Sequence, residues 1–216
     1  MTAASGAADR LRHLQAQLPP HTRLLAVSKG QSAEAMRTLA ELGQRSFGES
    51  RLQEASLKQE ALADLGPLDW HFIGHLQANK VRPVLQRFGT LHSVDSLPLA
   101  QRTARIAAEE GVAPQVLLQV KLRDDPSKGG FSREGLLEAW PQLQALEPLR
   151  ITGLMTMAPL GLGPEQREEL FGECAALARD LGLSELSMGM SGDWSEAARA
   201  GSTWVRIGSA LFGSRT

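Results

Sequence analysis

Several residue types that often define a protein's chemistry are scarce in this sequence. Its 216 residues include one cysteine, Cys174, and no tyrosine. A single cysteine excludes an internal disulfide, and the absence of tyrosine removes the phenol as a possible acid or base. Cys174 lies in an apolar segment with helical periodicity, so we expect a core residue rather than a reactive thiol.

Long apolar segments and strong net charge are also missing. No window carries the roughly 18 apolar residues that a membrane-spanning helix needs, and the N-terminus lacks the basic and apolar regions of a secretory signal. The formal net charge is −1, which gives no reason to expect nucleic acid or a membrane as a partner. We therefore expect a cytoplasmic protein in which any anion-binding site is a local pocket.

The apolar residues that are present form short runs separated by segments with helical periodicity. Such runs are typical of buried strands, and helix-start signals such as Ser32 and Pro164 lie between them. The candidate strands are 24–29, 46–50, 70–75, 91–96, 115–120, 151–156, 185–190 and 204–212.

Eight strands alternating with helices in a chain of this length predict one α/β domain spanning residues 1–216. The predicted fold is a (β/α)8 barrel of the TIM type, with residues 1–7 as a flexible N-terminus and an extra helix over 9–18. An open doubly wound sheet is the alternative, but no Gly-x-Gly-x-x-Gly fingerprint follows the first strand. In a barrel, functional groups collect at the carboxyl ends of the strands.

Lys29 follows the first apolar strand, a setting in which a lysine amine can condense with an aldehyde. The chain has only five lysines, and Lys58 and Lys80 lie in polar segments with helical periodicity. Lys121 is the main rival because it follows the fifth strand, although it leads into a charged turn at 123–126. The competing interpretation of Lys29 is an exposed lysine at a strand end.

The segment 187–193 carries small residues where a strand is predicted to turn into a helix. Backbone N–H groups in such a turn, together with Ser191, can bind phosphate oxygens. The alternative is a plain helix cap, since Asp193 and Glu196 have the spacing of a capping box.

Arg206 places a guanidinium inside an otherwise apolar strand. Gly208 allows a ligand to approach the backbone, and Ser209 adds a hydroxyl group and an N–H group. Alternatives for Arg206 are a buried ion pair with a carboxylate such as Glu49, or a packed stem with its charged end in water.

Barrel closure would make the first and eighth strands neighbours. The amine of Lys29 and the anion-binding segment around Arg206 would then face a shared ligand. A small molecule that carries both an aldehyde and a phosphate meets this requirement, which indicates pyridoxal 5'-phosphate (PLP).

Motifs across almost the whole chain resemble those of the pyridoxal-phosphate homeostasis protein family, relatives of the alanine racemase barrel. They occur in the order that the family keeps. The motifs are Leu-Ala-Val-Ser-Lys at 25–29, Gly-Gln-Arg-Ser-Phe-Gly-Glu at 43–49, Trp-His-Phe-Ile-Gly-His-Leu-Gln-Ala-Asn-Lys at 70–80, Gly-Leu-Met-Thr-Met at 153–157, Leu-Ser-Met-Gly-Met-Ser at 186–191 and Val-Arg-Ile-Gly-Ser at 205–209.

The resemblance implies a PLP-binding barrel in which Lys29 holds the cofactor as a Schiff base. It assigns the phosphate to Ser191, Gly208 and Ser209, and it matches Arg206 to the arginine that faces the pyridine nitrogen. A cation there disfavours protonation of that nitrogen. Ser50 and Met155 complete the set of predicted cofactor-binding residues.

Two departures from the family pattern affect detail. Ser50 replaces a usual asparagine, so an amide contact is missing or replaced by a hydroxyl. Gly30-Gln31-Ser32 replaces a usual Thr-Lys-Pro, which removes a second amine near Lys29. We expect both changes to alter cofactor exchange more than binding.

The related racemase uses a tyrosine as its second base and has a further β-rich domain, whereas this chain has no tyrosine and ends at Thr216. The expected function is therefore PLP storage, buffering or delivery by a monomer, with transient contact to apo-enzymes that use PLP. No catalytic residue and no metal ligand is predicted. The alternatives are a small PLP enzyme, such as a racemase or transaminase, and a barrel that binds another phosphorylated metabolite.

Overall fold

The computed structural model of the protein describes residues 3–125 and 128–213. Within this part of the chain, eight parallel strands form one closed barrel in the order of the sequence. The strands are β1 Arg23–Val27, β2 Ser46–Glu49, β3 Asp69–Phe72, β4 Thr90–Val94, β5 Gln115–Gln119, β6 Arg150–Met155, β7 Glu185–Ser187 and β8 Trp204–Ile207. The predicted barrel is confirmed, and the doubly wound alternative is wrong because β1 pairs with both β2 and β8.

A helix lies between each pair of successive strands, one more precedes β1 and another follows β8. They are α1 Ala3–Gln17, α2 Ala33–Glu41, α3 Leu52–Ala61, α4 Val81–Leu85, α5 Leu97–Glu110, α6 Arg133–Leu143, α7 Pro164–Asp180, α8 Trp194–Arg199 and α9 Ser209–Phe212. The predicted cap at Ser32 is confirmed, because its side chain accepts a hydrogen bond from the Ala35 N–H. Pro164 is the first residue of α7, where its missing N–H costs no helical hydrogen bond.

Most strand boundaries differ from the sequence prediction by a few residues, and three differences concern the ends of the chain or the predicted site. Helix α1 begins at Ala3, earlier than predicted, and includes part of the segment 1–7; residues 1 and 2 lie outside the described residues. Strand β7 ends at Ser187 because the chain turns at Gly189, whose φ is +87°. The last apolar run is a strand only to Ile207, because the N–H groups of Leu211 and Phe212 bond the Gly208 carbonyl and begin a helical turn.

Side chains alternate between the two faces of each strand, as the two-residue period requires. Outward-facing residues such as Leu24, Phe47 and Val205 pack in an apolar cluster with the first two helices. A second cluster joins the remaining strands to their helices, and it includes Cys174, which is fully buried. Burial raises the pKa of the Cys174 thiol to about 12, so the predicted core role is confirmed.

In residues 3–125 and 128–213, no helix combines the length and the apolar character needed to cross a membrane. The predicted cytoplasmic location stays a prediction.

Candidate functional site

A cavity of about 590 Å³ opens at the carboxyl ends of the strands. This volume is within the range of pockets that bind cofactor-sized molecules. The cavity brings together six of the seven predicted site residues. Its lining comprises Val27, Lys29, Gln31, Ser50, Ile73, Met157, Met190, Ser191, Gly192, Arg206, Gly208, Ser209 and Gly213.

The chemistry of this lining fits a ligand that carries an anion and an aldehyde. Only Lys29 and Arg206 are titratable among the described lining residues, and none of those residues is a carboxylate. The other polar side chains in this lining are the hydroxyl groups of Ser50, Ser191 and Ser209 and the amide of Gln31. A phosphate would therefore meet cations and hydrogen-bond donors, without a like charge in the wall.

Lys29 lies just beyond the end of β1, on the same side of the strand as Val27. Its neighbour Ser28 points the other way and donates its hydroxyl proton to Glu49 at 2.7 Å. Lys29 is exposed at the mouth of the cavity. The rival Lys121 lines a different and much smaller cavity, with Lys128 and Met157.

The turn after β7 presents Ser191 to the cavity. Gly189 is required in this turn, because its φ is +87° and an added Cβ would lie 2.6 Å from the Cβ of Ala197. The Asp193 carboxylate accepts a hydrogen bond from the Met190 N–H at 2.6 Å, and so it closes the turn. Asp193 makes no side-chain hydrogen bond to the first turn of α8, so the predicted capping box with Glu196 is wrong.

Gly208 and Ser209 directly follow β8 and line the same cavity as Ser191. The Ala210 N–H donates to the Ser191 hydroxyl at 3.4 Å, which joins this segment to the turn after β7. From α1, the Arg10 guanidinium donates to the carbonyls of Leu211 at 2.6 Å and Phe212 at 3.1 Å. The extra N-terminal helix thus supports the segment in which the phosphate site is predicted.

Arg206 reaches the cavity from β8 and is only 5% exposed. Its Nη1 donates to the Ser187 carbonyl at 2.6 Å and to the Ser187 hydroxyl at 2.8 Å, and its Nη2 donates to the Thr156 carbonyl at 3.0 Å. Burial lowers the pKa of Arg206 to about 10, so the group stays charged near neutral pH. The alternative ion pair with Glu49 is wrong, because Glu49 pairs with Lys58.

Ser50 and Met155 occupy different positions relative to the cavity. Ser50 lines it, directly after β2. Met155 is 2% exposed at the end of β6 and does not reach the described cavity wall, whereas Met157 does. Any role of Met155 in binding would therefore be one of support.

Lys58 is at the centre of a buried polar cluster that contacts the backbone on both sides of Lys29. Its Nζ donates to the Ser28 carbonyl and to Glu49 at 2.7 Å each, and to Glu54 at 2.6 Å. Glu54 also accepts the Gly30 N–H. One feature of the sequence indicates the Lys58–Glu49 pair. Glu49 places a carboxylate inside an apolar strand, and a buried carboxylate needs a partner.

His92 is another polar core residue that the sequence analysis missed. It is fully buried in β4 and contacts Ser187, which in turn contacts Arg206. His71 is its other neighbour. His75 is different, since its exposed ring lies 3.7 Å from Asp95.

A second cavity, of about 390 Å³, lies at the opposite end of the barrel, beside Arg23, Arg45 and Trp204. In barrels of this class, the amino-terminal face serves stability rather than chemistry. Arg23 stacks over the Trp204 ring at 3.9 Å, and Arg45 bonds the carbonyls of Leu65 and Pro67. These cations are thus committed to contacts within the protein.

Comparison with known proteins identifies relatives across nearly the whole chain. Residues 5–216 match the family model for the N-terminal domain of alanine racemase. The pyridoxal phosphate homeostasis protein of Synechocystis is 49% identical over 206 residues, which cover 93% of this chain and 94% of that protein.

Solved structures of PipY from Synechococcus elongatus share both fold and sequence with this chain. The structure without PLP has a TM-score of 0.94 and 47% identity, and covers 96% of this chain and 100% of that one. The structure with PLP bound has a TM-score of 0.92 and 46% identity, with the same coverage. The predicted family is confirmed: the chain belongs to the alanine racemase N-terminal domain family and, within it, to the pyridoxal phosphate homeostasis proteins.

Proposed function

We propose that this protein binds pyridoxal 5'-phosphate and serves its homeostasis by storing, buffering or delivering it. The proposal is based mainly on one observation: Lys29 and Arg206 line the same cavity as the two serines, Ser191 and Ser209. The relative with PLP bound supports the ligand, at 46% identity over 96% of this chain.

In this proposal Lys29 supplies the amine that holds the cofactor as a Schiff base. Ser191, Gly208 and Ser209 bind the phosphate with hydroxyl and backbone N–H groups, and Arg206 faces the ring. When bound, the cofactor supplies an electrophilic aldehyde and an aromatic ring that can withdraw electrons. Arg206 limits that withdrawal, because its positive charge disfavours a proton on the ring nitrogen.

A carrier is favoured over an enzyme by the acid–base groups at the site. Two-base racemisation needs a second base opposite the lysine. Among the described lining residues, Lys29 is the only candidate base, since Arg206 stays protonated near neutral pH. The sequence has no tyrosine that could take this role.

The proposal is tested by absorption spectra recorded while PLP is added to the parent, Lys29→Ala and Lys121→Ala. Parent and Lys121→Ala should develop the same visible band, and Lys29→Ala should not. A band of full strength in Lys29→Ala would reject Lys29 as the amine. No uptake of PLP by the parent would favour another phosphorylated ligand.

Catalysis is tested separately, by incubating the protein with amino acids and PLP in deuterated water. A carrier should give no more label at the α-carbon than free PLP does. Many labelling events per protein molecule would support the enzyme alternative.

We also propose that the protein acts as a monomer and contacts PLP-requiring apo-enzymes only transiently. Light scattering after size-exclusion chromatography should give one chain mass, with and without PLP. A stable dimer would contradict the first part of this proposal.

A further inference from the structure

Five side chains form a continuous hydrogen-bonded line through the interior of the barrel. Arg206 Nη1 lies 2.8 Å from Ser187 Oγ, which lies 2.8 Å from His92 Nδ1. His92 Nε2 lies 2.8 Å from His71 Nδ1, and His71 Nε2 lies 2.6 Å from Asp69 Oδ2. The line therefore connects the cavity at one end of the barrel with Asp69 at the start of β3.

Burial makes each contact in this line important. Ser187 and His92 have no exposed surface and His71 is 1% exposed, whereas the Asp69 side chain is 48% exposed. The rings of His71 and Trp204 also pack in an edge-to-face arrangement, with centroids 4.8 Å apart. An unpaired polar atom in such a place would cost about 1–3 kcal/mol, so the hydrogen positions along the line are strongly constrained.

The two ends of the line determine its direction. Arginine can only donate hydrogen bonds, and an ionised carboxylate can only accept them. Neutral His71 must then donate from Nε2 to Asp69 and accept at Nδ1 from His92. His92 in turn accepts at Nδ1 from the Ser187 hydroxyl, which accepts from Arg206. One set of tautomers thus satisfies every group with both histidines neutral.

The opposite direction is unfavourable. It requires an added proton on His71 and a proton on His92 Nδ1, directed at Ser187. The Ser187 hydroxyl would then accept from both His92 and Arg206, and its own proton would have no acceptor among the contacts of the described residues. Burial is the largest cause that lowers the pKa of His92 well below its usual value.

We propose that Ser187, His92 and His71 are positioning residues for Arg206, and that their one-directional hydrogen-bonded line to Asp69 holds its guanidinium toward the cavity. The line does this without a carboxylate against the guanidinium. Within the described residues, no salt bridge reaches Arg206. The positive charge of Arg206 therefore faces the cavity, and no carboxylate of the described residues forms a salt bridge with it.

Few other charged or titratable groups act on this line. Asp193 and Cys174 influence Arg206 through space, and Arg23 influences Asp69. The Ser46 hydroxyl also donates to Asp69, at 3.1 Å. Cys174 stays a thiol near neutral pH, because burial raises its pKa to about 12. The two histidines are thus the groups in this line whose protonation states decide its direction.

Nitrogen-15 NMR of the histidine rings in the ligand-free protein tests the line without any cofactor. His92 should show a protonated Nε2 and an unprotonated Nδ1, with no titration between pH 5.5 and 8. In Ser187→Ala the acceptor Asp69 still fixes this tautomer, but the Nδ1 resonance of His92 should shift because its hydrogen-bond donor is lost. A protonated Nδ1 in the parent, or titration of His92 near its usual pKa of about 6.5, would overturn the proposal.

A second experiment rests on the proposed function and measures PLP binding by absorption. His92→Leu, which cannot bond Ser187, should weaken binding about tenfold, the equivalent of one buried hydrogen bond. It should also change the pH dependence of the visible band. His92→Gln keeps a donor and an acceptor and should restore most of the affinity, and His75→Gln serves as the matched control.

The outcomes separate the two proposals. Parent-like affinity and pH dependence in folded His92→Leu would overturn the positioning role, while uptake of PLP by the parent would still support the proposed function. No uptake by the parent would reject the proposed function, and the NMR result would still decide the direction of the line.

Discussion

The buried pair of Lys58 and Glu49 gives the sharpest prediction about stability. Glu49 is fully buried and its Oε2 has no hydrogen-bond partner within the described residues, so Lys58 is the main group that offsets its charge. Removing one partner of such a pair typically costs about 3–5 kcal/mol. Burial already raises the pKa of Glu49, so protonation limits the loss, and we expect about 3 kcal/mol for Lys58→Met at pH 7.

The sign of the pH dependence follows from the same carboxyl group. A folded-state pKa above the unfolded value means that the folded protein binds the proton more tightly. Stability from this group is thus present at low pH and is lost as pH rises through the folded-state pKa. The destabilisation by Lys58→Met should therefore be smaller at pH 5 than at pH 7.

Urea unfolding followed by tryptophan fluorescence measures these differences, with the exposed Lys80→Met as the control variant. Glu49→Gln combined with Lys58→Met removes both charges and should recover at least about 1.5 kcal/mol relative to Lys58→Met alone. A loss below about 0.5 kcal/mol for Lys58→Met, or strict additivity of the two changes, would refute the idea that Lys58 offsets a buried carboxylate.

Three further predictions concern the core and the cavity. Because the folded-state pKa of His92 lies well below 6.5, the free energy of unfolding should decrease as pH falls below about 6.5. In His92→Gln, the slope of this free energy against pH should be shallower by up to about 1.4 kcal/mol per pH unit. Equal slopes in urea titrations would contradict this. An added Cβ at Gly208 lies no closer than 3.4 Å to Val27, so Gly208→Ala should unfold like the parent yet bind PLP more weakly; unchanged affinity would reject its predicted phosphate role. Cys174 should resist alkylation at pH 8 until urea unfolds the protein, as mass spectrometry can verify, and rapid native labelling would argue against its burial.

The barrel could be predicted because its pattern is local. Each strand is a short apolar run, and signals such as Ser32 and Pro164 separate the runs without knowledge of distant contacts. The strand ends were less predictable. The apolar run after Arg206 continues past Gly208, yet the chain turns there into α9, a change that hydrophobicity alone does not encode.

The partners of the buried polar side chains could not be predicted from the sequence, for a different reason. Lys58 has the spacing of an ordinary surface pair with Glu54, and only the packing of α3 on β2 brings it to Glu49. His92 contacts Ser187 across 95 positions of sequence. Strand parity predicts which side chains point inward, but the partners depend on the register across the closed barrel.

The most direct test of the account is to locate the bound cofactor chemically. The parent is mixed with PLP and reduced with borohydride, and its lysine-containing peptides are then mapped by mass spectrometry. Only five lysines are present, at 29, 58, 80, 121 and 128, so each can be assigned. The account predicts the reduced adduct on Lys29, absent from Lys29→Ala. An adduct chiefly on another lysine, undiminished in Lys29→Ala, would contradict it.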